Sequence, residues 1–306
     1  MANEIYYSGL GDLRLAAVLH QEIALLLADR GSLRGQPAIV NYGDLSGRGS
    51  TVLEVPQAGL DGYDRMAAVA ENASTSNTAL TDASPSITIA RQALQYQISD
   101  LANITDSVGL DTDRLAASMV GSYDMRFTEM ICQITDDFTA TAGSSGVDMV
   151  VADWYDAQFA LTQSSVTGPY LAILHPVQLT DFQSSLRAEA GAVQYVPATA
   201  EMLAIKGPGF AGSFNGVDIF ASSHVPTANA GADRAGGMFG AGAVGYATGS
   251  LTAVRGAGGL VLPAGTPVVV EFERDAAGAM TTVVGNGFLG VAIVEDGRGV
   301  SIITDA

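Results

Sequence analysis

Gly47-Arg48-Gly49-Ser50-Thr51-Val52-Leu53-Glu54-Val55 begins an extended stretch in which apolar and polar residues alternate. Small polar residues follow in Glu71-Asn72-Ala73-Ser74-Thr75-Ser76-Asn77-Thr78, and the chain returns through Ser86-Ile87-Thr88-Ile89-Ala90-Arg91, again extended. Alternation over a few residues is a strand signal. Residues 47–98 therefore read as an arm, a two-stranded ribbon with a polar tip. A ribbon of that kind is marginal alone in water. It needs another surface, and the surface expected is a neighbouring copy of the same chain, met by Val52, Leu53, Val55, Ile87 and Ile89. On the return strand the apolar residues change phase, from Ile87 and Ile89 to Leu94, Tyr96 and Ile98. A one-residue bulge would produce that shift.

The clearest helical pattern follows the arm. Leu115, Met119, Tyr123, Phe127, Met130, Ile134 and Phe138 recur every three or four residues. Asp111 and Asp113 suit a helix N-terminus, and Gly143 suits its end. The spacing predicts a rod of roughly 40 Å at 1.5 Å per residue. Another helix is predicted over 10–30, stopped by Gly31, and one over 150–162. Tyr170-Leu171-Ala172-Ile173-Leu174 reads as a buried strand running into His175-Pro176, with the proline in the first turn of a helix and His175 as its cap. Strands are expected over 202–205 and 216–221. The C-terminus reads as a meander: 268–272, 280–284, 288–294 and 300–304.

Only 15% of the 306 residues are charged, 48% are apolar, and 36 are glycine. An average soluble domain carries about 25% charge. Two readings fit, a large buried core or a surface that becomes subunit interface. The net charge is −18, and Lys206 is the single lysine among 14 bases. The arginines are scattered, so the basic patch of a nucleic-acid binder is missing. A negative wall can still enclose nucleic acid, because repulsion stops the polymer from adhering. Cys132 is the only cysteine and falls in the helical apolar pattern, where it reads as core filler. The N-terminus lacks the pattern of a signal peptide. Residues 235–254 are uncharged, but six of them are glycine, which argues against a membrane helix.

Motifs that carry chemistry are weak. Gly-x-Gly-x-x-Gly occurs at Gly207/Gly209/Gly212, Gly240/Gly242/Gly245 and Gly285/Gly287/Gly290, yet none lies between a strand and a helix, as a pyrophosphate cradle requires. His20, His175 and His224 are isolated, which argues against zinc. Asp111-Thr112-Asp113 lacks the later ligands of a calcium loop. Asp136-Asp137 and Glu295-Asp296 read as solvated carboxylates. No catalytic residue, cofactor or metal is expected.

The order of these elements resembles the major capsid protein of tailed bacteriophages, the Hong Kong 97-like fold also used by encapsulins. The likeness rests on Leu171-Ala172-Ile173-Leu174-His175-Pro176, on Phe214-Asn215-Gly216-Val217-Asp218-Ile219-Phe220-Ala221-Ser222-Ser223-His224-Val225-Pro226, and on Val270-Glu271-Phe272-Glu273-Arg274-Asp275. It implies an α+β fold with an N-terminal arm (1–46), an extended loop (47–98), a peripheral domain with a long spine helix (99–149), an axial domain (150–262) and peripheral C-terminal strands (263–306). The spine core would be Leu115, Met119, Tyr123, Phe127 and Ile134. The resemblance implies a non-enzymatic shell protein of a virion, assembled in the bacterial host cytoplasm. It would form hexamers and pentamers with copies of itself and enclose double-stranded DNA without reading sequence. A portal, a decoration protein and a separate scaffolding protein are the implied partners; no membrane is involved. The loop has no lysine, which excludes the lysine–asparagine crosslink of some relatives. An encapsulin shell and a Gly-rich soluble enzyme are the alternatives.

Overall fold

In the computed structural model, residues 33–45, 50–58, 68, 69, 71, 74, 82–101, 112–189, 195–207, 209–249 and 268–305 are described. The predicted helix over 10–30, most of the arm's tip and all of residues 250–267 lie outside them. The first strand, β1 (Ile39–Asp44), is followed by the ribbon: β2 (Val52–Glu54), β3 (Gln57–Ala58), β4 (Asp82–Ala83) and β5 (Ser86–Thr88). β2 and β5 pair antiparallel with Leu53 opposite Ile87, and β3 pairs with β4 further out. The next strand is β6 (Ala90–Ser99). The phase change at Ile89 is a change of partner rather than a bulge. Before it the strand pairs within the ribbon; after it the chain joins a different sheet. Ile89 itself still donates its N–H to the Thr51 carbonyl at 2.9 Å.

The predicted rod is α1 (Thr112–Gln133), 22 residues and about 33 Å long. Ala116, Met119, Val120, Tyr123, Phe127, Ile131 and Cys132 are buried along it. Leu115, Met130 and Ile134 are half-buried against the same core. The helix stops well short of Gly143 because a 3₁₀ turn, Ile134–Asp137, intervenes. Thr135 is fully buried there, its hydroxyl 2.6 Å from the Cys132 carbonyl and 2.7 Å from that of Ala235. That bond fixes the end of α1 to a strand a hundred residues later.

Beyond α1 come β7 (Thr141–Ala142), α2 (Val151–Gln163), β8 (Tyr170–Leu174) and α3 (Pro176–Ala188). His175 caps α3 as the sequence predicts, its Nδ1 accepting from the Val177 N–H at 3.3 Å. Trp154 of α2 stacks on Phe182 of α3 with centroids 5.0 Å apart. Next are β9 (Tyr195–Pro197), α4 (Ala200–Lys206), β10 (Phe210–Phe214) and β11 (Val217–Ala221). Residues 202–205, predicted as a strand, are helical. Thr199 supplies the N-cap, its hydroxyl accepting from Met202 N–H at 3.3 Å, and Gly207 ends the helix at φ +87°. β10 and β11 form a hairpin whose two turn residues, Asn215 and Gly216, both have positive φ. This is why an Asn-Gly pair stands there. Phe214 closes an aromatic group with Phe182 at 5.3 Å and Trp154 at 5.9 Å.

The remaining strands are β12 (Thr227–Ala228), β13 (Asp233–Gly240), β14 (Val244–Thr248), β15 (Val268–Asp275), β16 (Met280–Ile293) and β17 (Gly299–Asp305). β16 is one 14-residue strand where the sequence suggests two. Its glycines keep it continuous by giving room. A Cβ on Gly285 would stand 3.2 Å from the Met119 sulfur of α1. One sheet runs β1-β14-β16-β15 with β6 also on β16, and α1 packs on it. The other runs β7-β17-β13-β8-β11-β10-β9, with β12 on β13.

The two sheets draw strands from across the expected segments. Residues 263–306 are not one unit, since β17 joins β13 in the larger sheet while β15 and β16 lie in the smaller. β14, near the end of 150–262, joins β16 in the smaller sheet. Alternation of apolar residues specifies a strand but not its neighbours.

Candidate assembly surface

The ribbon has two unlike faces. Leu53, Val55, Ile87 and Ile89 point the same way and pack with Ala247 and Val294 of their own chain, bordered by Tyr42, Leu45, Phe288 and Ala292. Ile87 is 0% exposed and Leu53 4%. Val52, Glu54, Ser86 and Thr88 face outward and are exposed. Of the five residues predicted to touch a neighbouring subunit, Val52 alone is therefore available; the other four anchor the root of the arm. The sequence pattern is the same for either outcome. The chain's own sheet offers an apolar seat, and burying a side chain there is worth about 1.5–3 kcal/mol. Val55 N–H donates to the Pro85 carbonyl at 2.9 Å, which completes the root.

The predicted spine residues come together. Met119, Tyr123 and Phe127 are buried, and Leu115 and Ile134 pack half-buried on the same cluster. Phe127 meets Tyr246 edge to face with centroids 5.0 Å apart. Burial pushes the Tyr123 hydroxyl far above its usual range. The same burial takes the Cys132 thiol up to about 11, so it stays protonated and inert at neutral pH. Between α1 and the sheet lies a cleft of about 190 Å³ lined by Leu94, Met119, Tyr123, Val268 and Gly285, with Arg126 held by Gln92 and Glu129.

Exposed apolar side chains cluster elsewhere. Tyr155 and Phe159, one turn apart on α2, are exposed, as are Val147 and Val150 just before it. Val196 of β9 and Leu203 and Ile205 of α4 are exposed as well, with Ile205 80% exposed. Sequence reading missed them. The available signal was that Tyr155 and Phe159 lie off the buried stripe of Trp154, Ala157 and Leu161.

Several charged groups among the described residues are held by specific partners. Lys206 pairs with Asp218, and its Nζ lies 5.3 Å from the centre of the Phe210 ring. Arg274 grips Asp100 in a two-pronged contact of 2.6 Å per bond and holds its carboxyl below the usual range. Asp233 is buried and accepts from Asn229, from the Ser145 hydroxyl and from the Gly146 N–H, and these bonds depress its pKa in that order.

The weak motifs fall in structural settings. Gly207/Gly209/Gly212 join α4 to β10, Gly240/Gly242/Gly245 join β13 to β14, and Gly285/Gly287/Gly290 lie inside β16. No strand-to-helix cradle forms at any of them. Asp136 and Asp137 are exposed, and Glu295 pairs with Arg298. Asp111 and His20 lie outside the described residues. Among the described residues no group of three His, Cys, Asp or Glu is placed to hold a metal ion, and no helix is long and apolar enough to cross a membrane.

No family profile matches the sequence, and neither does any curated protein. The architecture is nonetheless shared with solved structures. The capsid of Ralstonia phage GP4 superposes with a TM-score of 0.58 at 14% identity, covering 92% of this chain and 90% of that one. The cyanophage Pam1 capsid gives 0.57 at 14% identity, covering 91% and 93%. The holo-SrpI encapsulin complex from Synechococcus elongatus gives 0.56 at 12% identity, covering 84% and 83%. The chain has the α+β Hong Kong 97-like capsid fold.

Proposed function

We propose that this chain is the major capsid protein of a tailed bacteriophage, a structural protein that assembles with copies of itself into an icosahedral head around double-stranded DNA. The observation that carries this reading is the extent of the likeness: about nine-tenths of the chain follows the fold of phage capsid subunits. The surface is consistent with it. A polar ribbon face and separate apolar groups on α2 and α4 stand ready for neighbouring copies. In this reading α1 and the smaller sheet form the peripheral domain, and the larger sheet with α2, α3 and α4 forms the axial domain. The net charge of −18 keeps enclosed DNA off the wall and in no fixed register. Hexamers, pentamers, a portal and scaffolding or decoration proteins belong to the same proposal.

Purified protein should elute as large particles that negative-stain microscopy resolves as closed shells. A stable monomer under all assembly conditions would overturn the proposal. The likeness to an encapsulin supports a second reading, a shell around protein cargo. Particles recovered from the native source separate the two: genome-length DNA inside supports the first, a packaged enzyme the second.

A further inference from the structure

Gly290 sits where the arm leaves the body. Ala90 of β6 pairs in register with Leu289 of β16, so there the returning strand lies in the sheet. Two residues earlier, Thr88 lies over the face of the same strand. Its carbonyl carbon is 2.8 Å from where a Cβ on Gly290 would stand, and Ile87 Cγ2 is 3.1 Å away. Gly290 itself is paired to Ala247 of β14 and cannot retreat without breaking the sheet. A side chain of any size at 290 must therefore lift the ribbon.

We infer that Gly290 is the seat that sets the direction of the arm, and thereby the geometry with which one copy reaches the next. This inference rests on the shell reading for its consequence, though not for its geometry. Restoring an ordinary carbon–carbon contact of about 3.5–4 Å needs a lift of roughly 1 Å at Thr88. Ala90 stays fixed about 7 Å away, so the ribbon tilts by roughly 8°. Ala58, about 20 Å beyond Thr88 along the ribbon, then moves by about 4 Å. Subunit contacts in a closed shell are repeated many times, so a displacement of that size cannot be absorbed locally. The glycine is needed for space alone: its backbone is not among the positive-φ positions of the chain.

The test is Gly290→Ala in the full chain, read two ways. Amide exchange should rise roughly tenfold at Val55 and Ile89, whose side chains leave the body as the ribbon lifts and so open their N–H bonds to water, while the amides around Phe127 and Phe182 keep their protection. Particles should be open or of mixed diameter where the wild type gives uniform shells. Wild-type exchange together with uniform shells would overturn the inference. So would equal loss of protection throughout the core, which would make Gly290 a packing residue only. If the variant is insoluble, Leu53→Ser with Ile87→Ser loosens the same root from the arm side, and uniform shells from that pair would overturn it. A wild-type chain that forms no shells refutes the shell reading instead, and the exchange measurement still decides whether Gly290 seats the arm.

Discussion

Gln178 joins three elements through one amide. Its Nε2 lies 3.0 Å from the Arg234 carbonyl, 3.1 Å from that of Ile302 and 2.8 Å from the Thr304 hydroxyl, while its Oε1 accepts from the His175 N–H at 3.1 Å. The side chain is fully buried. Gln178→Ala should lower stability by about 2–4 kcal/mol, combining a cavity with unmet carbonyls, as a shift in the denaturant midpoint. The cap at His175 was legible from Leu-His-Pro alone. The burial of Gln178 was not, because glutamine is mostly an exposed residue type and only its contacts with β13 and β17 bury it here. Asp233 makes a pH-dependent prediction. Its folded pKa is depressed, so its contribution is complete above the usual carboxylate value of about 4 and is lost as pH falls through the folded value. Asp233→Asn should therefore be less stable than wild type at pH 7, and the gap in melting temperature should narrow below about pH 4. A gap independent of pH would mean that the charge is unimportant.

At the scale of elements, α1 was read from seven apolar residues at helical spacing, and three of them are its buried ridge. Phe127→Ala should cost about 3–5 kcal/mol, measurable by denaturant unfolding, since Phe127 is 0% exposed between α1 and Tyr246. A cost near that of a surface substitution would contradict the packing. The end of α1 was not legible. Thr135 stops it through Ala235, a partner that local pattern does not reveal. α4 was misread for a related reason: Met-Leu-Ala-Ile suits a strand or a helix, and the Thr199 cap decided for helix. The glycines of β16 look like breaks in isolation. They become necessary only once α1 and the arm are known to lie on that strand.

The molecule as a whole carries a net charge of −18, which the proposed shell assembly must overcome. Copies repel at low ionic strength, and the screening length falls from about 10 Å at 0.1 M salt to about 3 Å at 1 M. Shell yield, followed by light scattering, should rise with added salt over that range. A fall would indicate that contacts between copies are chiefly ion pairs. Composition thus constrained behaviour: few charges, no basic patch, a single lysine held by Asp218 away from the loop.

The sequence by itself determined which segments are helix or strand over most of the described chain, the cap at His175, the core of α1, the existence of the arm and the order of elements that resembles a capsid subunit. These depend on period and on turn chemistry, which are local. The tertiary structure decided which sheet each strand joins, that β17 leaves its neighbours for β13, and that Leu53, Val55, Ile87 and Ile89 bury against their own body. An apolar face must be covered, and alternation states that need without naming the cover; among surfaces equally apolar, only the folded backbone sets which one lies within reach.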